Sequence, residues 1–130
     1  MPYLQRGFAI VSAIFLLVIL SLLGAYMLST SSSQQIGSAQ DVMGARAYWA
    51  AKGGLQWAIT RVQPPATACP AATTTLTLNG FTVTVSCTAN TYTEGVDNKT
   101  IYWLGATAVG GGAVGSVGYT ERSLNAFVEF

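Results

Sequence analysis

The chain has 130 residues, 51% hydrophobic and 8% charged, with a formal net charge of +1 and no histidine. Soluble domains carry roughly 25% charged residues, so most of the usual solvated surface is missing, and the length suits one small domain with an appendage. The balanced charge argues against nucleic-acid binding, which needs a clustered basic face. The lack of histidine excludes His-based acid–base catalysis, Ser-His nucleophiles and most transition-metal sites. Neither an enzyme nor a cofactor site is expected.

Charge is also unevenly placed. No charged side chain lies between Arg6 and Asp41. Inside that gap Phe8 to Leu28 reads FAIVSAIFLLVILSLLGAYML, with Ser12, Ser21 and Tyr26 its only hydroxyls. As a helix rising about 1.5 Å per residue it spans ~30 Å, the thickness of a bilayer's hydrocarbon core. A secretory signal has a shorter apolar core and a small-x-small cleavage site; here the core is too long and Ala25-Tyr26-Met27 does not supply that site. The segment reads as a membrane span, and Arg6 on the short N-terminal side orients it with that end inside.

After the polar, uncharged Ser29–Gln35, helical spacing resumes. Ile36, Ala39, Met43, Ala47, Ala50, Leu55, Ala58 and Val62 fall near one face, mostly three or four residues apart. Gly53-Gly54 is a weak point, costing roughly 1 kcal/mol per glycine relative to alanine. Gln63-Pro64-Pro65 ends the helix, because the residue before proline is pushed away from helical angles. The prediction is one long helix from Phe8 to about Val62, with Gly24 or Ser29–Ser33 as points of bending. Its residues 8–28 are apolar all round and 29–63 amphipathic.

Period two follows. Thr75–Leu78, Asn79-Gly80 and Phe81–Cys87 form a hairpin signal, since a type I′ turn needs positive φ at both central residues. A two-residue turn sets Leu78 opposite Phe81 and Leu76 opposite Val83, with Thr75, Thr77, Thr82 and Thr84 on the other face. Further strands are expected near Thr100–Val109 and Ser123–Phe130. The Ile36–Val62 stripe would cover the apolar face of the sheet. The fold class is therefore α+β: a long N-terminal helix packed on a small antiparallel sheet formed within residues 64–130.

Cys69 is expected just after the helix and Cys87 at the end of the second strand. Two thiols without histidine make a poor metal site, and their spacing is not that of a CxxC redox pair. If the body lies outside the cytoplasm, a disulfide is the natural state. Other signals are weak. Gly110–Gly115 matches GxGxxG, but no helix is expected after it, so it reads as a flexible loop. Asn98-Lys99-Thr100 fits a glycosylation pattern but reads as a turn. Glu94, Asp97 and Asn98 are too few oxygens for a calcium shell, and Trp49, Trp57 and Trp103 are expected in core or helix–sheet contacts.

A short leader, residues 1–7, ending in Arg6-Gly7, then Phe8, then an apolar helix running into an amphipathic one, resembles the type IV prepilins. That family also places an antiparallel sheet, often with a disulfide, after the helix. The resemblance implies a prepilin peptidase that cleaves between Gly7 and Phe8 and methylates the Phe8 amine. It implies subunits that leave the inner membrane through an assembly platform and pack their apolar helices in a filament core with other major and minor pilins. The stretch from Ala39-Gln40-Asp41-Val42 through Arg46-Ala47-Tyr48 to Leu55-Gln56-Trp57-Ala58 is similar to minor-pilin-like biogenesis proteins of mannose-sensitive haemagglutinin (MSHA) pili.

One departure is informative. Pilins typically carry glutamate at the fifth mature position, which here is Ser12. In the family that carboxylate pairs with the terminal amine of a neighbouring subunit. A subunit with nothing above it has no amine to pair with, and a buried, unpartnered carboxylate is costly. Serine therefore points to a tip or initiation position, as in minor pseudopilins, although it also suits an ordinary membrane helix. Three roles follow as alternatives: a minor pilin that primes or caps assembly, a tip adhesin recognising ligand through the Gly110–Gly118 loop, or an unprocessed single-pass inner-membrane scaffold.

Overall fold

The computed structural model describes residues 5–66 and 68–130, so residues 1–4 of the expected leader lie outside the described residues. One helix, α1 (Gln5–Val62), precedes four strands, β1 (Thr73–Leu78), β2 (Phe81–Glu94), β3 (Asp97–Gly110) and β4 (Thr120–Glu129). The strands form one antiparallel sheet in chain order, β1-β2-β3-β4. This is the expected α+β arrangement. The chain divides into two units, one ending at Ala39 and one comprising Gln40–Phe130.

Helix α1 is continuous through Gly24 and Ser29–Ser33. Two hydroxyls of this stretch bond back to the helix: Thr30 Oγ1 donates to Met27 O (2.9 Å) and Ser33 Oγ to Ser29 O (3.2 Å). Such back-bonding satisfies the hydroxyl within the helix at a slight cost to helix stability. The helix ends before Pro64, as the prolines dictate, with Arg61 in its last turn, where a cation complements the carbonyl end of the helix dipole.

The first hairpin has the expected register, Leu78 opposite Phe81 and Leu76 opposite Val83. Asn79 (φ 54°) and Gly80 (φ 82°) both adopt the left-handed backbone of a type I′ turn. Strand β2 does not stop at Cys87. It continues to Glu94 and returns through a second tight hairpin in which Glu94 faces Asp97 and Gly95 has φ 64°. Cys87 is thus in the middle of a strand. The Thr88–Thr93 segment, TANTYT, has no apolar face, and strand registers marked by burial are invisible in such a run. Likewise β3 starts at Asp97 and β4 at Thr120, each three residues before the position read from the sequence.

Within Gln40–Phe130 the core lies between the helix and one face of the sheet. Phe81, Val83, Val85 and Cys87 of β2 and Tyr102, Leu104, Ala106 and Ala108 of β3 are buried there, with Leu76, Leu78, Leu124 and Val128 packed against them. The helical side differs from the predicted stripe. Ile36 is 51% exposed and Ala39 is exposed, while the buried line runs Gly44, Ala47, Ala51, Gly54, Ala58, with Ala50 beside it and Val62 at its end. These are small residues at alternating spacings of three and four, and they let the helix backbone approach the sheet closely. A Cβ at Gly54 would stand 2.6 Å from Val83 Cγ1 and 3.3 Å from Val85 Cγ2. The glycine read as a weakness is a packing requirement.

Gly53 and Gly54 therefore respond oppositely to alanine. Gly54→Ala forces Val83 to move and is expected to cost about 1–3 kcal/mol, the usual range for overpacking. At Gly53 the new Cβ meets only Leu78 Cδ1 at 3.4 Å, so Gly53→Ala is expected to be neutral or to stabilise by up to about 1 kcal/mol through helix propensity. Thermal unfolding of the full chain in detergent, followed by near-UV circular dichroism, checks this. Equal effects at the two positions would refute the close seam.

Candidate functional site

The most extended exposed apolar surface among the described residues is the Phe8–Leu28 part of α1. Every large hydrophobic side chain from Phe8 to Leu28 is exposed, from Phe8 at 77% to Ile19 at 36%. This stretch holds a window of mean hydropathy 2.8 with none of it buried inside the chain, long and apolar enough to cross a membrane. One of its hydroxyls is satisfied within the helix. Ser21 Oγ donates to Leu17 O at 2.7 Å, the internal satisfaction that a hydrocarbon environment requires. Exposing so much apolar surface to water is unfavourable.

The residues singled out from the resemblance sit at the start of this helix. Gly7 and Phe8 are helical and exposed, and a Cβ at Gly7 would meet nothing within 4 Å. Ser12 is half-buried and lies one turn after Phe8, on the same side of the helix.

Cys69 and Cys87 are joined in a disulfide, with Cα atoms 5.7 Å apart and a sequence separation of 18. Cys87 is buried on the helix-facing side of β2, and its N–H donates to Ala72 O at 3.1 Å. The bridge thus fastens the segment between helix and sheet to the centre of the sheet, just where β1 begins.

The remaining candidates separate. Gly111–Gly118 connects β3 to β4, so a strand rather than a helix follows the glycines. The loop closes on itself, because a Cβ at Gly111 would collide with the carbonyl oxygen of Gly118. Val114 and Val117 project from it, 82% and 79% exposed. Nearby, the Tyr119 hydroxyl donates to Glu121 Oε2; this bond, then desolvation and the carboxylate's charge, raises the phenol above its ordinary pKa. Glu94 and Asp97 are cross-strand partners at the second hairpin, whereas Asn98 lies on the other face of the ribbon, where its Oδ1 accepts from Thr93 Oγ1 at 2.9 Å. Among the described residues no three His, Cys, Asp or Glu side chains group to hold a metal.

The tryptophans correct an expectation. Only Trp57 packs partly against the core, with Arg61 5.2 Å from its ring centroid. Trp49 is 62% exposed on the helix, beside Tyr48 and under Lys52. Trp103 is 52% exposed on the face of the sheet opposite the core, its ring near-parallel (14°) to that of Phe127 at 6.0 Å. Alternation decides this: Tyr102 and Leu104 point to the helix, so Trp103 cannot. Phe127, between Ala126 and Val128, carries the same signal.

No family model, curated protein or solved structure matches the chain. Reduction of the disulfide, or the double variant Cys69→Ser/Cys87→Ser, is expected to lower the stability of the sheet unit by about 3 kcal/mol, the scale for a loop of this size. Thermal unfolding with and without reductant reads it. An unchanged transition would show that packing alone holds this segment.

Proposed function

We propose that the chain is a non-enzymatic minor pilin-like subunit of a type IV, MSHA-type pilus that primes or caps filament assembly at the tip. In this reading a prepilin peptidase removes residues 1–7 and methylates Phe8. The subunit then waits in the inner membrane with its sheet unit in the periplasm, and an assembly platform moves it into a filament beside major and minor pilins.

The observation that carries the reading is the uncharged helix half whose apolar side chains find no cover within the described chain. Lipid would cover it before assembly and neighbouring helices afterwards, so the same side chains suit both states. The disulfide supports a periplasmic location, since such bridges persist in oxidising compartments. Ser12 supports the terminal position: with no amine above it, the subunit does without the family's carboxylate, while its own Phe8 amine remains free to meet a glutamate from below.

Intact mass of the membrane-extracted chain tests processing. The expected species lacks residues 1–7 and carries one added methyl group, and it reverts to full length when the prepilin peptidase is inactivated. Full-length chain in the presence of active peptidase would overturn the pilin reading in favour of an unprocessed membrane scaffold. Ser12→Glu tests the tip position separately. A buried carboxylate without a partner is disfavoured by several kcal/mol, so pilus number per cell should fall, whereas unchanged or higher numbers would exclude the tip.

A further inference from the structure

We propose that the outer face of the sheet binds a neutral glycan, through stacking of pyranose rings on Trp103 and Phe127. The proposal does not depend on filament assembly. The two rings lie on cross-strand partners, are near-parallel at 14°, and are 52% and 73% exposed on the face that no helix covers. Around the pair this face carries threonine, serine and asparagine, with Tyr92 farther along β2 and Glu121, Glu129 and Lys99 as charged neighbours, and an exposed apolar aromatic pair in such polar surroundings calls for an occupant.

The flanking groups define its chemistry. One step along the same face, Ser86, Gly105 and Asn125 are in register. A Cβ at Gly105 would lie 2.7 Å from Ser86 Oγ and 3.0 Å from Asn125 Oδ1, so a hydroxyl and an amide close over the bare backbone beside the rings. On the other side stand Asn90, Ile101 and Glu129, with Glu129 paired to Lys99 at 3.9 Å. Lys99 is the one cation at the outward-facing strand positions, and it already has an anionic neighbour. A phosphate-bearing strand stacking on aromatics needs a positive track beside them, which this face lacks.

A pyranose with equatorial hydroxyls matches what is present. Its axial C–H groups give each ring face an apolar surface that lies against an aromatic ring, while the hydroxyls around its rim meet Ser86, Asn125 and Asn90. β-1,4-linked glucose units meet this requirement on both faces.

The test is titration of the full chain in detergent with cellohexaose, followed by tryptophan fluorescence, with a single-stranded oligonucleotide as comparison. Saturable quenching in the micromolar to millimolar range is expected with cellohexaose. Phe127→Ala, read by fluorescence, and Trp103→Ala, read by calorimetry, should each weaken binding about tenfold, or 1.4 kcal/mol. Trp49→Ala, on the helix, should leave affinity unchanged, and because all three side chains are exposed, each variant should keep the parent's thermal transition. Absence of saturable cellohexaose binding overturns the proposal, as does binding that both sheet-face variants retain. Oligonucleotide binding in place of glycan binding overturns it too. Loss of filament incorporation in Phe127→Ala without any glycan binding would reassign the face to subunit packing.

Discussion

The closeness of helix and sheet at Gly54 sets the terms for the rest of the sheet unit. With Val83 and Val85 directly beneath the helix backbone, every other residue on the contact line must be small, and Gly44, Ala47, Ala51 and Ala58 are. The larger side chains needed to fill the core then come from the sheet: Phe81, Val83, Tyr102 and Leu104. Sheet side chains thus fill the space beside a helix with almost no bulky apolar residues on its buried line. This arrangement also leaves two of the helix's large aromatics, Tyr48 and Trp49, on the outside.

A second constraint acts on the other half of the same helix. From Phe8 to Leu28 the side chains are large, apolar and exposed, and the hydroxyl of Ser21 is satisfied within the helix. One continuous secondary structure element thus carries two unlike surfaces. Residues 40–62 are completed by the chain's own sheet, and the apolar stretch is left exposed among the described residues. The proposed pilin role gives that stretch two successive environments, lipid and a bundle of like helices, without any change in its conformation.

The sheet shows where sequence patterns are readable and where they fail. The first hairpin was legible to the residue because apolar alternation and Asn79-Gly80 point to the same register. The far ends of β2 and β3 were not, because Thr88–Thr93 and Asp97–Thr100 are polar on both faces and only backbone pairing holds them. The same limit hid the outer aromatic pair. Trp103 is surrounded in sequence by residues that turn inward, and hydropathy alone assigns it to the core. Only the strand register puts it opposite Phe127 on the open face.

What the sequence by itself determined are the features that arise from local chemistry. These are a charge-free apolar helix, its stop at Pro64-Pro65, an Asn-Gly hairpin with its register, and the class of a helix on an antiparallel sheet. Periodicity, proline and turn preferences act within a few residues, so they are present in the chain before it folds. The tertiary structure alone decided which small residues form the seam, that Gly54 is required rather than tolerated, that Cys87 joins Cys69 from mid-strand, and which aromatics stay outside. Each of these depends on the distance between groups far apart in the chain, and that distance exists only once the helix has come down on the sheet.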